Sequence, residues 1–155
     1  MKKIAKEYAL FKREGEVLAS LHIDGVAKFY EALECLNDNS PCAFIIQEYI
    51  PGKSIQALLK ENWHFNINDF YDIILQLLDI LEQLQKHNPP IIHRDIKPSN
   101  IILVPKKVGY KAYLIDFGAV ANPQVQGGGS TVAGTFGYMA PEQLMGAPVP
   151  ASDIY

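Results

Sequence analysis

Two apolar runs, Ile101-Ile102-Leu103-Val104 and Ala112-Tyr113-Leu114-Ile115, flank the turn Lys106-Lys107-Val108-Gly109-Tyr110-Lys111 and constrain this chain more than any other feature. Short apolar runs bounded by a glycine-containing polar turn predict an antiparallel hairpin. Such a hairpin brings the residue before its first strand, Asn100, close to the residue after its second, Asp116, although the two are well separated along the chain. Asn100 closes the stretch His93-Arg94-Asp95-Ile96-Lys97-Pro98-Ser99-Asn100, and Asp116 opens Asp116-Phe117-Gly118. Two carboxylates and an amide are therefore carried on two short loops, each anchored to a strand.

Phosphoryl transfer calls for such a set: one carboxylate to orient an attacking hydroxyl and accept its proton, and oxygen ligands to hold Mg²⁺ on nucleotide phosphates. Positioning and charge neutralisation supply most of the rate, so few groups suffice. Taken alone, His-Arg-Asp reads as a turn with a surface ion pair, and Asp-Phe-Gly as a strand end with a glycine turn. Their joint occurrence in order, followed by Ala140-Pro141-Glu142, resembles the signature set of the protein kinases. The resemblance implies that Asp95 is the catalytic base and that Asn100 and Asp116 are Mg²⁺ ligands on ATP. It also implies that Lys97 steadies the transferring phosphate, as in the serine/threonine branch, and that Ala140-Pro141-Glu142 ends the activation segment. The implied fold is α+β, an incomplete bilobal protein-kinase-like fold with a partial small lobe over residues 1–50 and a partial large lobe over 51–155.

The 155 residues are enough for one core, and the net charge of −3 without a basic cluster argues against nucleic acid or an anionic membrane surface as principal partner. Apolar runs break well before the roughly 20 residues that span a bilayer, and the start Met1-Lys2-Lys3-Ile4-Ala5-Lys6-Glu7 lacks a signal-peptide centre. A cytoplasmic, reducing location is expected, with Cys35 and Cys42 as free thiols rather than a disulfide. His64 and His87, at element ends, read as solvated polar residues rather than ligands.

An amphipathic pattern predicts a helix from about Lys3 to Leu21, weakened by Gly15. It resembles the helix called αC in the family, and ungapped alignment places that helix's ion-pairing acid at Glu14; a solvated glutamate on a charged face is the plain alternative, and Glu16 fits it equally. Leu18 is expected to face the core, with Phe29, Phe117 and His93 nearby. Val26–Ala32 and Ala43–Tyr49 predict two antiparallel strands around a polar turn. The second resembles the strand entering the family's hinge, which implies Gln47 lining the nucleotide pocket and adenine contacts from the backbones of Glu48 and Ile50. Ser54 is the predicted cap of a short helix to about Lys60, and Asn66 of a longer one stopped by Asn88-Pro89-Pro90. The longer helix carries an apolar stripe from Phe70 to Leu84, wide enough for burial on more than one side.

From Ala119 to Ala133 the chain is glycine-rich and polar. Ser130 and Thr131 are candidate phosphoacceptors, Thr131 favoured, which Arg94 could receive through charge-assisted hydrogen bonds; hydroxyls that are never modified are the alternative. Thr135 is expected to bond Asp95 and Lys97, and Asp153 resembles an aspartate that supports the catalytic-loop backbone. Residues 138–143 and 150–155, with the Pro-Pro before the catalytic loop, resemble bacterial members of the group.

The glycine-rich phosphate-covering strands and the strand lysine that pairs with the αC acid have no counterpart in these residues. The expectation is therefore a protein serine/threonine kinase, acting on serine or threonine hydroxyls of a protein substrate, present as a truncated and inactive fragment that exposes apolar surface. A non-catalytic pseudokinase-like scaffold is the alternative. A small-molecule phosphotransferase is disfavoured by Lys97 and the complete activation-segment ending.

Overall fold

The longest helix, α3 (Ile67–Lys86), is the support on which the hairpin is mounted. Asn66 caps it, its side-chain oxygen accepting from the Asp69 N–H at 2.8 Å, and His87 ends it, its N–H donating to the Gln83 carbonyl. The computed structural model describes residues 2–37, 40–120 and 133–155, and of residues 2–7, 9, 35–37, 40 and 41 the backbone alone. In chain order the elements before α3 are α1 (Lys2–Ser20), β1 (Phe29–Asn37), β2 (Ser40–Gln47), β3 (Lys53–Ser54) and α2 (Ile55–Lys60). After α3 come β4 (Ile101–Pro105), β5 (Tyr110–Leu114) and the short α4 (Pro141–Leu144), with 3₁₀ turns at Pro98–Asn100 and Pro150–Ile154.

β1 and β2 form a two-stranded antiparallel ladder, and β3, β4 and β5 a three-stranded antiparallel sheet in that order. β5 would leave an open edge, yet that edge is occupied. The Gln76 side chain on α3 donates to the Tyr110 carbonyl and accepts from the Ala112 N–H, both at 3.0 Å, and the Gly25 carbonyl accepts from the Leu114 N–H at 2.8 Å. Gly25 has φ +91°, and a Cβ there would lie 2.5 Å from the Ile80 side chain, so only glycine lets this turn press between α3 and β5. The expected strand at Val26–Ala32 consequently begins later, at Phe29, because Val26 is drawn into a parallel bridge with Leu114. The two strands also run closer together than expected: Leu36 pairs with Pro41 and Asn37 with Ser40, so residues assigned to a turn join the ladder. Cys35 stands opposite Cys42 in that register, and the Cys35 side chain lies outside the described residues.

The core gathers Leu18 from α1, Ile73, Ile80, Leu81 and Leu84 from α3, Leu103 and Leu114 from the hairpin, and Phe117, with Phe29 packed against it. His93 and Phe117 meet edge to face at 4.8 Å. Only one side of the α3 stripe is covered, which leaves apolar surface exposed along the rest of it. Phe70, Ile74 and Leu78 are exposed, and Ile74, Leu77, Leu78 and Leu81 line an apolar groove of about 510 Å³ shared with Ile154 and Tyr155. No helix among the described residues is long and apolar enough to cross a membrane.

Candidate active site

The loop from His93 to Asn100 is buried at its start and finish, so each of its polar groups needs a partner. Asp153 supplies two: its carboxylate accepts the His93 N–H at 2.7 Å and the Arg94 N–H at 2.8 Å. Burial raises this carboxyl to about 6 despite those two donors, and it is ionised at neutral pH. His93 is fully buried, and burial pulls its imidazole down to about 4, so it stays neutral. Its Nδ1 faces the Asp95 N–H at 3.3 Å and its Nε2 the Ile115 carbonyl at 3.2 Å; the neutral ring satisfies both with the proton on Nε2. Arg94 takes the left-handed conformation, φ 68°, which costs a non-glycine residue about 1–2 kcal/mol. Its guanidinium donates to the carbonyls of Ala119 and Val120.

This strained turn presents Asp95. The Lys97 ammonium lies 2.7 Å from Asp95 Oδ2, the Thr135 hydroxyl donates to Oδ1 at 2.7 Å, and Asn100 Nδ2 reaches Oδ2 at 3.1 Å and the Asp95 carbonyl at 3.0 Å. Lys97 also donates to Thr135 Oγ1 at 2.5 Å. Burial pushes the Asp95 carboxyl up, but Lys97, Thr135 and Asn100 together outweigh it and hold the group below the ordinary aspartate value. The product is an ionised carboxylate of fixed orientation, next to a small recess lined by Gln56, Lys97, Pro98, Ser99, Thr135 and Tyr138.

The hairpin does for Asn100 and Asp116 what its pairing requires. The Ile115 N–H donates to the Asn100 carbonyl at 2.9 Å, which sets the next residue, Asp116, beside the loop. Asp116 also has φ 68° and is exposed, accepting from the Gly118 N–H at 3.4 Å. With Asn100 Nδ2 committed to Asp95, its Oδ1 is the atom left for a cation, and it accepts from Ser99 Oγ at 3.2 Å. A carboxylate and an amide oxygen are the hard donors Mg²⁺ takes, so this pair fits the ion. A Cβ on Gly118 would lie 3.3 Å from Asp116 Oδ1 and 3.4 Å from Glu14 Oε2, which places the Glu14 and Asp116 carboxylates around one small space. Burial, then the charge of Asp116, raises the Glu14 carboxyl, and no lysine or arginine among the described residues pairs with it.

Gln47 ends β2 opposite Phe29, distant in the chain from the loop. The Glu48 N–H donates to the Lys28 carbonyl at 2.8 Å, and the Ile50 carbonyl accepts from the Gly52 N–H at 2.9 Å. Ser130 and Thr131 lie outside the described residues. Three residues escaped the sequence reading. Gln143 donates to the Arg94 carbonyl at 2.8 Å; Gly134, φ +124°, has its Cβ position 2.5 Å from that same oxygen; and Ser152 donates to Glu142 at 2.5 Å. A glutamine at the third helical position after Pro141 is a helix-start signal that marks Gln143 as structural, but its reach to Arg94 has no local signature.

A family model for the protein kinase domain matches residues 1–155. The chain is 42% identical over 119 residues to serine/threonine-protein kinase PknA of Nostoc sp., covering 72% of this chain and 20% of that protein. It is 38% identical over 155 residues to serine/threonine-protein kinase D of Synechocystis sp., covering 94% of this chain and 28% of that protein. With serine/threonine-protein kinase cds1 of Schizosaccharomyces pombe it shares 36% identity over 138 residues, 87% of this chain and 28% of that protein. The chain belongs to the protein kinase family, in its serine/threonine group, and is part of a kinase domain with the mixed α/β fold expected. It spans about a fifth to just over a quarter of these relatives' length.

Proposed function

We propose that this chain carries the phosphotransfer site of a cytoplasmic serine/threonine protein kinase, which moves the γ-phosphate of ATP to a serine or threonine hydroxyl of a protein. The observation that carries the reading is the Asp95 carboxylate, ionised and gripped by Lys97, Thr135 and Asn100. An acceptor hydroxyl in the recess beside it would be oriented by Asp95, while Lys97 offers its charge to the phosphate in transit. Asn100 Oδ1 and Asp116 would hold Mg²⁺, which when bound neutralises charge on the phosphates. Lobe assignments of 1–50 and 51–155 follow from the same reading. Adenine would meet the Glu48 carbonyl and the Ile50 N–H, since the other backbone group of each residue is already bonded. Gln47 would line that pocket, and Arg94 would receive a phosphate on Thr131 or Ser130.

A second reading, partner binding without turnover, has one observation in its favour: the Glu14 carboxyl faces Asp116 with no cation paired to it among the described residues. Titration calorimetry with ATP, with and without Mg²⁺, alongside phosphoamino-acid detection on a serine/threonine peptide library, separates the two. With no counterpart of the glycine-rich strands and the strand lysine in these residues, the kinase reading expects weak Mg²⁺-dependent binding and little or no transfer by this chain; joined to those elements in a complete kinase domain, it expects phosphoserine or phosphothreonine that falls about 10²–10⁴-fold in Asp95→Asn. Binding with no transfer even in the complete domain selects the scaffold, and no Mg²⁺-dependent binding at all removes the kinase reading.

A further inference from the structure

The Arg94 backbone is held at both its N–H and its carbonyl, and one of these restraints comes from a residue that no step of the proposed chemistry uses. Gln143 is 4% exposed, and both ends of its amide are engaged: Oε1 accepts from the Ala140 N–H at 3.2 Å and Nε2 donates to the Arg94 carbonyl at 2.8 Å. The opposite end of Arg94, its N–H, is held by Asp153, and its backbone is left-handed. A left-handed residue relaxes unless its surroundings over-determine it.

The Arg94 carbonyl belongs to the peptide plane that leads into Asp95, so whatever sets that plane aims the Asp95 side chain. Residues 133–143 reach this loop at three places. Thr135 binds the Asp95 carboxylate, Gly134 passes close under the Arg94 carbonyl, and Gln143 donates to that carbonyl. Thr135 acts on the carboxylate directly, whereas Gln143 acts on the backbone that carries it. Glutamine suits the task because a neutral amide presents one donor and one acceptor in a buried place where a charge would be costly.

We propose that Gln143 is a positioning residue that locks the Arg94–Asp95 peptide plane to the end of the 133–143 segment, so that Asp95 is aimed only while that segment is docked. Its functional meaning rests on the phosphotransfer reading, but its structural content does not. The test is amide hydrogen exchange in the 155-residue chain, comparing the wild type with Gln143→Leu and Gln143→Glu over pH 5 to 9 after correction for intrinsic exchange. Gln143→Leu is expected to speed exchange within 93–97 by about tenfold or more, leaving β4, β5 and α3 as protected as in the wild type. A protonated carboxyl keeps both a donor and an acceptor, so Gln143→Glu should match the wild type at low pH and the leucine variant once ionised. Burial and the Asp153 carboxylate oppose ionisation there, Arg94 and Lys97 on the same groove favour it, and the inflection between the two states is the readout.

Unchanged protection of 93–97 in Gln143→Leu overturns the proposal, as does equal loosening of β4, β5 and α3, which marks a merely structural residue. Should Gln143→Leu fail to fold, the pH profile of Gln143→Glu decides, and a profile without an inflection overturns the proposal. Selective loosening of 93–97 in Gln143→Leu, alongside a complete kinase domain that transfers no phosphate, supports the lock while removing the kinase reading. Where transfer is measurable, the lock predicts that Gln143→Leu lowers kcat and leaves the KM for ATP within about twofold.

Discussion

The two sheets are built on opposite terms. β1 and β2 make the longer ladder, nine and eight residues, yet Tyr30, Leu33, Phe44 and Ile46 remain exposed on it. The β3–β4–β5 sheet is short, but Leu103, Ala112 and Leu114 are sealed in and even its free edge is taken by Gln76 and Gly25. Backbone pairing alone therefore does not say where stability resides. Hydrogen bonds exchanged with water contribute little net, while burial of apolar area and satisfaction of buried donors contribute much. The proposed chemistry sits on the sealed sheet, where loops can be held in left-handed conformations at Arg94 and Asp116.

The sharpest way to break this contrast is Asp153→Ala, which strands the buried N–H groups of His93 and Arg94. Urea melts should show a loss of about 3 kcal/mol or more, and a loss under about 1 would mean that the loop is not rigidly tied down. Next in size, Leu84→Ala, at a site with no exposure, should cost about 2–5 kcal/mol. The same truncation at Phe44, 56% exposed, should cost less than about 1 in parallel melts, and equal losses would erase the distinction between the sheets.

A pH test resolves the sealed side further. His93, lowered from 6.5 to about 4, contributes stability that is complete above 6.5 and lost as pH falls through 4. Asp153, raised from 3.8 to about 6, contributes stability that is complete below 3.8 and lost as pH rises through 6. Each amounts to roughly 3 kcal/mol, and with opposite signs over one window they largely offset. His93→Phe should thus leave a protein that gains stability as pH drops from 6 to 4, and Asp153→Asn one that loses it; parallel slopes in the two variants would refute the pairing. The smallest effect is expected at the exposed contact between α1 and β1. Removing the hydroxyl that Tyr8 donates to Glu34 at 2.5 Å, as Tyr8→Phe, should move the melt by no more than about 0.5 kcal/mol.

Much of this was legible in advance. Asn66 and Ser54 announced their helices through capping chemistry that acts within one turn, and Ile101–Val104 with Ala112–Ile115 announced the hairpin through local patterning. The contact of Thr135 with Asp95 and Lys97, and that of Asp153 with the loop backbone, were anticipated only through resemblance to the kinase family, since nothing local links residues so distant in the chain. Two expectations gave way to contacts made in three dimensions. Val26 left its strand because Gly25 lets the chain pass between Ile80 and β5, and Leu36 and Pro41, read as turn residues, pair in the β1–β2 ladder.

Residue order alone settled which groups are available: two carboxylates, an amide and a lysine at short spacings, on loops that flank a hairpin. Tertiary structure decided which of them act on one another. It set the charge states of His93, Asp95 and Asp153 through burial and partners, and it brought Gln143 and Gly134 to the Arg94 carbonyl. Charge state and long-range contact depend on what surrounds a group in three dimensions, and local patterning carries no record of that.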